Sequence, residues 1–265
     1  MSKLSHAIRK FNRFELKYIV SIPSAENFKR DLRSYLAPDE HGDSLGSYGV
    51  SSLYYDGPDY RFYWEKIDGI KFRRKLRIRH YENGDPLTAA TPIFVEIKQR
   101  LNRVTQKRRL RLPCADALRL CSQRQPPQAD SFDHQPSAAA LLDEVLAMSW
   151  QYDLRPASFI RYSRQAFIGG QYDTGLRVTF DKDLTYCTAG EMVPELLFNE
   201  FPASLPLLPP DLVVIEIKVN ERIPYWLTEL VAMHNLNLMR VSKYCRSIEL
   251  AQNMSAPAWQ FLLAG

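Results

Sequence analysis

The 265-residue chain is short of several features that would fix its chemistry at once. Its four cysteines, Cys114, Cys121, Cys187 and Cys245, show no C-x-x-C spacing and no neighbouring histidine pair. That argues against a zinc site and for free thiols in a reducing compartment. Histidine is sparse and scattered, at His6, His41, His80, His134 and His234, and none is placed as a catalytic base. No run approaches 18 consecutive apolar residues, and the first ten residues lack an apolar signal core. The expectation is therefore no membrane span and a cytoplasmic location. No linker divides the chain, so one domain over residues 1–265 is expected, with its core at about 10–248. Bulk charge of one sign is also modest, 35 Lys and Arg against 30 Asp and Glu. Placement must supply whatever basic character the protein has.

Placement does so. Residues 69–81 read Gly-Ile-Lys-Phe-Arg-Arg-Lys-Leu-Arg-Ile-Arg-His-Tyr. In a strand, side chains alternate faces, so Arg73, Lys75, Arg77 and Arg79 share one face while Phe72, Leu76 and Ile78 share the other with Arg74. Four like charges in a row are compensated either by solvent or by a polyanion. The habit recurs. Glu15 and Lys17, Glu96 and Lys98, and Glu216 and Lys218 give three strands a common Glu-x-Lys signature, and Lys107, Arg109 and Arg111 align on a further strand. One charged sheet face is ordinary; six or more charged strands point to a closed barrel with its charged face inward.

Periodicity and turn residues place the remaining elements. A helix is expected over 25–36 with Ser24 as its cap, a strand over 48–56, a short helix over 60–67, and a hairpin through the turn at 83–86. Residues 123–136, rich in Pro, Gln, Ser and Asp, read as a flexible loop. A helix follows over 137–148, strands over 155–168, 176–184 and 212–219, a helix over 224–236, and a last basic element near 241–245. Arg74, Arg108 and Arg119 read as solvated, and the aromatics Tyr54, Tyr55, Tyr60, Phe62, Tyr63 and Trp64 as packing.

Guanidinium and ammonium groups in rows match consecutive phosphates. Carboxylates among them oppose an anion unless a divalent metal intervenes, which points to Mg²⁺ or Mn²⁺. The inventory suits phosphoryl transfer, where positioning and charge neutralisation do most of the catalysis.

Eight segments are distinctive: Phe14-Glu-Leu-Lys-Tyr18, Ser52-Leu-Tyr-Tyr-Asp56, Lys75-Leu-Arg-Ile-Arg79, Val95-Glu-Ile-Lys98, Ile160-Arg-Tyr162, Leu176-Arg-Val-Thr-Phe-Asp181, Ile215-Glu-Ile-Lys218 and Ser242-Lys-Tyr244. Together they resemble the VTC domain, the polyphosphate polymerase branch of the CYTH-like triphosphate tunnel metalloenzymes. They occur in the family's order and span nearly the whole chain. The resemblance implies an α+β, mainly β fold: a closed eight-stranded antiparallel tunnel with flanking helices. It implies phosphoryl transfer from ATP to a growing inorganic polyphosphate chain, with Mn²⁺ or Mg²⁺ as cofactor. A triphosphatase acting on inorganic triphosphate or nucleoside triphosphates, and a non-catalytic polyphosphate sensor, are the alternatives; no nucleic-acid partner is expected.

By motif match, catalytic roles fall to Lys17, Arg77, Arg79, Lys98, Arg161, Arg177, Glu216 and Lys243. Phosphate binding extends to Arg73, Lys75, Lys107, Arg109, Lys218 and Ser242. Glu216 is the expected metal ligand, with Glu96 and Glu15 as further candidates. The chain departs from CYTH hydrolases at Arg13, where they carry an acidic residue, and this favours the polymerase branch. The SPX domain and transmembrane segments of eukaryotic members do not occur in these residues, so a stand-alone protein is expected.

Overall fold

The computed structural model describes residues 14–253, except 83, 103, 129–135, 172, 174, 189–203 and 221. Arg13, Asn83 of the hairpin turn and much of the 123–136 loop therefore lie outside the described residues. The strands are β1 (Phe14–Ser21), β2 (Ala37–Pro38), β3 (Ser47–Asp56), β4 (Phe72–Glu82), β5 (Pro92–Leu101), β6 (Val104–Pro113), β7 (Arg155–Ile168), β8 (Arg177–Thr188), β9 (Leu205–Pro206) and β10 (Leu212–Val219). The helices are α1 (Ile22–Leu32), α2 (Arg61–Ile67), α3 (Cys114–Ser122), α4 (Pro136–Gln151), α5 (Tyr225–Met233) and α6 (Lys243–Ala251).

The longer strands pair in the order β1-β10-β8-β7-β3-β4-β5-β6, with β2 on β7 and β9 on β8. This is the expected mainly antiparallel sheet with flanking helices. Closure is the point of difference: among the described residues the ladder ends at β1 and β6. Charged residues such as Lys107, Arg109 and Arg111 on a terminal strand disfavour further edge pairing.

Two compact units make up the chain, residues 1–49, 162–184 and 206–265 in one, and 50–161 and 185–205 in the other. Each has its own core. In the first, Tyr18, Val20, Ile215, Ile217, Val178 and Phe180 bury one strand face against Phe28 and Leu32 of α1 and Leu227 and Leu230 of α5. In the second, Leu53, Tyr55, Leu76, Ile78, Val95, Ile97 and Leu110 pack with Leu141, Leu142, Val145 and Met148 of α4 and with α3. The alternation inferred from sequence holds: Leu76 and Ile78 are fully buried on the face opposite the basic residues of β4.

Several boundaries move for local reasons. Helix α1 is capped by Ser21, whose hydroxyl accepts from Ser24 N at 3.4 Å, with Pro23 in its first turn. It ends at Leu32, and Ala37–Pro38 pair with β7 instead. Helix α3 has no counterpart in the sequence reading, because Pro113 at its N-cap provides no side-chain cap bond. The basic element near 241–245 is the start of α6, capped by Ser242. Arg74 and Arg108 are not simply solvated, for both reach Glu144 of α4. Arg74 shares its strand face with Leu76, so it meets the helix that covers that core.

Candidate active site

In the first unit the two Glu-x-Lys strands meet antiparallel, so each carboxylate finds the other strand's lysine: Glu15 stands opposite Lys218 and Lys17 opposite Glu216. Lys17 Nζ lies 2.8 Å from Glu216 Oε1, and Lys218 Nζ lies 2.9 Å from Oε2. Lys243, the first residue of α6, reaches Asp181 at 2.6 Å and Glu216 at 3.7 Å. Arg164 of β7 clasps Asp181 through Nε and Nη2, at 2.6 and 2.8 Å, and comes within 3.8 Å of Glu216. The Tyr162 ring supports both cations, with Lys243 4.7 Å and Arg164 5.3 Å from its centre.

Four cations thus converge on two buried carboxylates. Burial alone would raise the Glu216 carboxyl, but Lys17, Lys218, Lys243 and Arg164 outweigh it and hold Glu216 well below the usual carboxylate range. Arg164 and Lys243 do the same for Asp181. Lys218 goes the other way: burial depresses it to about 8, only partly countered by Glu216. Thr179, paired in register with Glu216, has a buried hydroxyl with no hydrogen-bond partner among the described residues. Arg177 is held separately, by Asp39 at 2.5 Å and the Tyr48 hydroxyl at 2.6 Å.

In the second unit, register aligns the charges of β4, β5 and β6 into rows. Lys75, Lys98 and Lys107 stand directly abreast; Arg73 faces Arg100; Arg77, Glu96 and Arg109 form the next row; Arg79, Phe94 and Arg111 follow. Four cations on β4, two on β5 and three on β6 share this face with the single carboxylate of Glu96. Cross-strand like charges repel, and Glu96 in the neighbouring row offsets part of that repulsion through Lys107.

Glu96 is fully buried and serves as a hub. Arg77 donates to Oε2 from Nε and Nη2, at 2.9 and 2.7 Å, and Lys107 lies 3.0 Å from Oε1. Burial would raise its carboxyl, yet Arg77, Arg79 and Lys107 hold it well below the usual range. The buried Tyr54 hydroxyl accepts from Arg77 Nη1 at 2.9 Å, and Ser52 Oγ accepts from Arg79 Nε at 3.0 Å. Burial raises Tyr54, but Arg77, Arg79 and Lys75 prevail and bring it down to about 7.

The structure brings Lys17, Glu216, Lys218 and Lys243 together in the first unit, with Ser242 acting as a helix cap. It brings Arg77, Arg79, Lys75, Lys98, Lys107 and Glu96 to one face of the second. Arg109 lies over the Phe94 ring at 4.6 Å, and Arg73 turns to the Ile70 carbonyl at 2.9 Å. Arg161 does not join these residues. It shares its strand face with the buried Phe159 and pairs with Glu82 at 2.9 and 2.7 Å, while Ser51 donates to the same carboxylate. Three positions on, Arg164 emerges on the other face and takes the place expected for Arg161. Period-two alternation along β7 carries that signal, as it does for Tyr48, Ser52 and Tyr54 along β3; Asp181, read mainly as a strand end, is a partner of two cations.

A family model, the VTC domain, matches residues 12–252. The chain belongs to the VTC domain family. Two curated relatives are 26% identical to it, the vacuolar transporter chaperone complex subunit 4 of Trypanosoma brucei brucei over 229 residues and that of Trypanosoma cruzi over 238. Each alignment covers 77% of this chain and 28% of the relative, so this VTC domain corresponds to less than a third of their length. Among solved structures, a putative adenylyl cyclase from Hippeastrum, described as having a dominant triphosphatase activity, matches 93% of this chain and 98% of its own. The TM-score is 0.52 at 11% identity, a likeness of fold.

Proposed function

We propose that this VTC domain transfers the terminal phosphoryl group of ATP to a growing inorganic polyphosphate chain, in the cytoplasm, where Cys114, Cys121, Cys187 and Cys245 stay as free thiols. The observation that supports it most is the in-register row Lys75, Lys98, Lys107 beside Arg77 and Arg79. The spacing of such a row matches a ligand with closely spaced negative charges, and a phosphate chain is one.

Among the described residues no three His, Cys, Asp or Glu side chains are grouped to cage a metal. Mg²⁺ and Mn²⁺ commonly use one or two carboxylates and complete their shell with phosphate oxygens and water. Glu216, ionised and flanked by the Lys17, Lys218 and Lys243 ammonium groups, fits that requirement as the anchoring ligand. When bound, the metal would neutralise charge on the transferring phosphates.

The protein's own part is electrostatic and geometric. Lys17, Lys218, Lys243 and Arg164 offset charge near Glu216, and Arg77, Arg79 and the lysine row hold phosphates on the face of β4 to β6. A terminal oxygen of the acceptor chain attacks the γ-phosphorus, the bond to the β–γ bridging oxygen breaks, and ADP leaves with that oxygen. Water in place of the acceptor would give the triphosphatase reaction described for the Hippeastrum relative.

The test is ATP turnover with Mg²⁺ and with Mn²⁺, measuring free and polymeric phosphate together. ADP with polymer supports the proposal. Free phosphate alone assigns a triphosphatase, and metal-independent polyphosphate binding without turnover assigns a sensor.

A further inference from the structure

Within the second unit the polar face of β3 presents hydroxyls at Ser52 and Tyr54, a spacing of two that points both the same way. Each accepts a hydrogen bond from a different arginine. Ser52 takes Arg79 Nε at 3.0 Å and Tyr54 takes Arg77 Nη1 at 2.9 Å. We infer that this end of β3 is a hydroxyl rail, and that Ser52 and Tyr54 are positioning residues which orient two phosphate-binding guanidinium groups. The inference rests on the phosphate-binding reading above.

The physical reason lies in the choice of acceptor. A guanidinium is planar and presents its N–H groups in a fixed fork, so one firm bond to one nitrogen sets the direction of the rest. A carboxylate in that place would orient the fork as well, but would also cancel its charge and repel an incoming anion. A neutral hydroxyl orients and leaves the charge intact. Arg77 shows both devices at once: Glu96 holds Nε and Nη2, and Tyr54 holds Nη1. The Tyr54 ring adds a contact of its own, with the Arg77 guanidinium carbon 5.6 Å from its centre. Tyr54 and Ser52 lie opposite the core side of the strand, where Leu53 and Tyr55 are buried, so their hydroxyls are not needed to fill the core.

The experiment measures affinity for inorganic tripolyphosphate by calorimetry at about pH 5.5, where the Tyr54 hydroxyl holds its proton, and at several salt concentrations. There Tyr54→Phe keeps the ring and the net charge; it should weaken binding roughly tenfold, the value of one hydrogen bond to a charged group. The slope of log affinity against log salt should stay that of the wild type, because no cation has been removed. Arg77→Met should weaken binding and flatten that slope. Adding Tyr54→Phe to Arg77→Met should then cost nothing further, since the hydroxyl acts only through the arginine.

Ser52→Ala with Arg79→Met repeats the cycle on a smaller side chain, should Tyr54→Phe fold poorly. Single hydroxyl variants that bind like the wild type, or double variants whose losses simply add, would overturn the inference while leaving phosphate binding in place. A wild-type protein that does not bind tripolyphosphate would instead overturn the functional reading beneath it.

Discussion

Lys17 on β1 stands directly opposite Glu216 on β10 and lies 2.8 Å from its carboxylate. Glu216 is also shared by Lys218, Lys243 and Arg164. Removing a buried partner leaves the others uncompensated, and that costs about 3–5 kcal/mol. Glu216→Gln should therefore lower the urea midpoint markedly, and tripolyphosphate should restore much of it by neutralising the stranded cations. Metal-dependent ATP turnover should disappear in the same variant while metal-free tripolyphosphate binding persists. Turnover at the wild-type rate would remove Glu216 from the metal site.

Asp181 offers a test by pH. Its carboxyl, pulled down in the fold mainly by Arg164 and Lys243 against the opposing effect of burial, is depressed relative to the unfolded chain. Its stabilising contribution is present above the unfolded carboxylate range and is lost as pH falls through that range toward the lower folded value. Asp181→Asn should reduce stability at neutral pH and make the acid limb of a stability profile shallower. Chemical unfolding between pH 3 and pH 7 reads both effects.

Anion affinity should decline above neutrality. Tyr54, brought to about 7, gains a negative charge on losing its proton. Lys218, depressed to about 8, loses a positive one. Both changes subtract positive charge, and a bound phosphate chain opposes both, so binding above pH 7 should take up protons. Calorimetry in buffers of different ionisation enthalpy measures that uptake. Tyr54→Phe should remove the lower part of the decline and Lys218→Met the upper part.

The lysine row should be read out by binding and by salt. Lys98→Met removes one cation from the middle of the row and should weaken tripolyphosphate binding while making the salt dependence shallower by about one unit of charge. Calorimetry across a salt series measures both. Affinity and salt slope unchanged from the wild type would place the phosphate chain elsewhere.

The two arginines of β7 separate motif from geometry. Arg164→Met should weaken tripolyphosphate binding by more than about tenfold, since it removes a buried cation beside Glu216, and should also lower stability by taking from buried Asp181 one of its two partners. Arg161→Met breaks a part-exposed pair with Glu82 and should leave tripolyphosphate affinity near that of the wild type, with a smaller loss of stability. Parallel binding and thermal-melt measurements on the two variants distinguish these outcomes.

Much of this was legible in the chain before folding. Strand alternation alone placed Arg77, Arg79, Lys98 and Lys107 on one face and Leu76, Ile78, Val95 and Ile97 on the other, because side chains in a strand have only two directions available. The three Glu-x-Lys segments were visible too. The pairing of Arg161 with Glu82 was not legible, because a motif of three residues carries no parity, whereas the strand does. Helix α3 escaped notice because Pro113 leaves none of the usual polar cap signals.

Sequence by itself determined which face of each strand is charged and that the total inventory suits a phosphate chain. Tertiary structure decided who neutralises whom. Antiparallel register put Lys17 against Glu216 and lined up Lys75, Lys98 and Lys107, and the start of α6 delivered Lys243 to Asp181, a residue 62 positions earlier in the chain. Ion pairs depend on distances of a few ångströms between residues far apart in sequence, and those distances do not exist until the strands have paired.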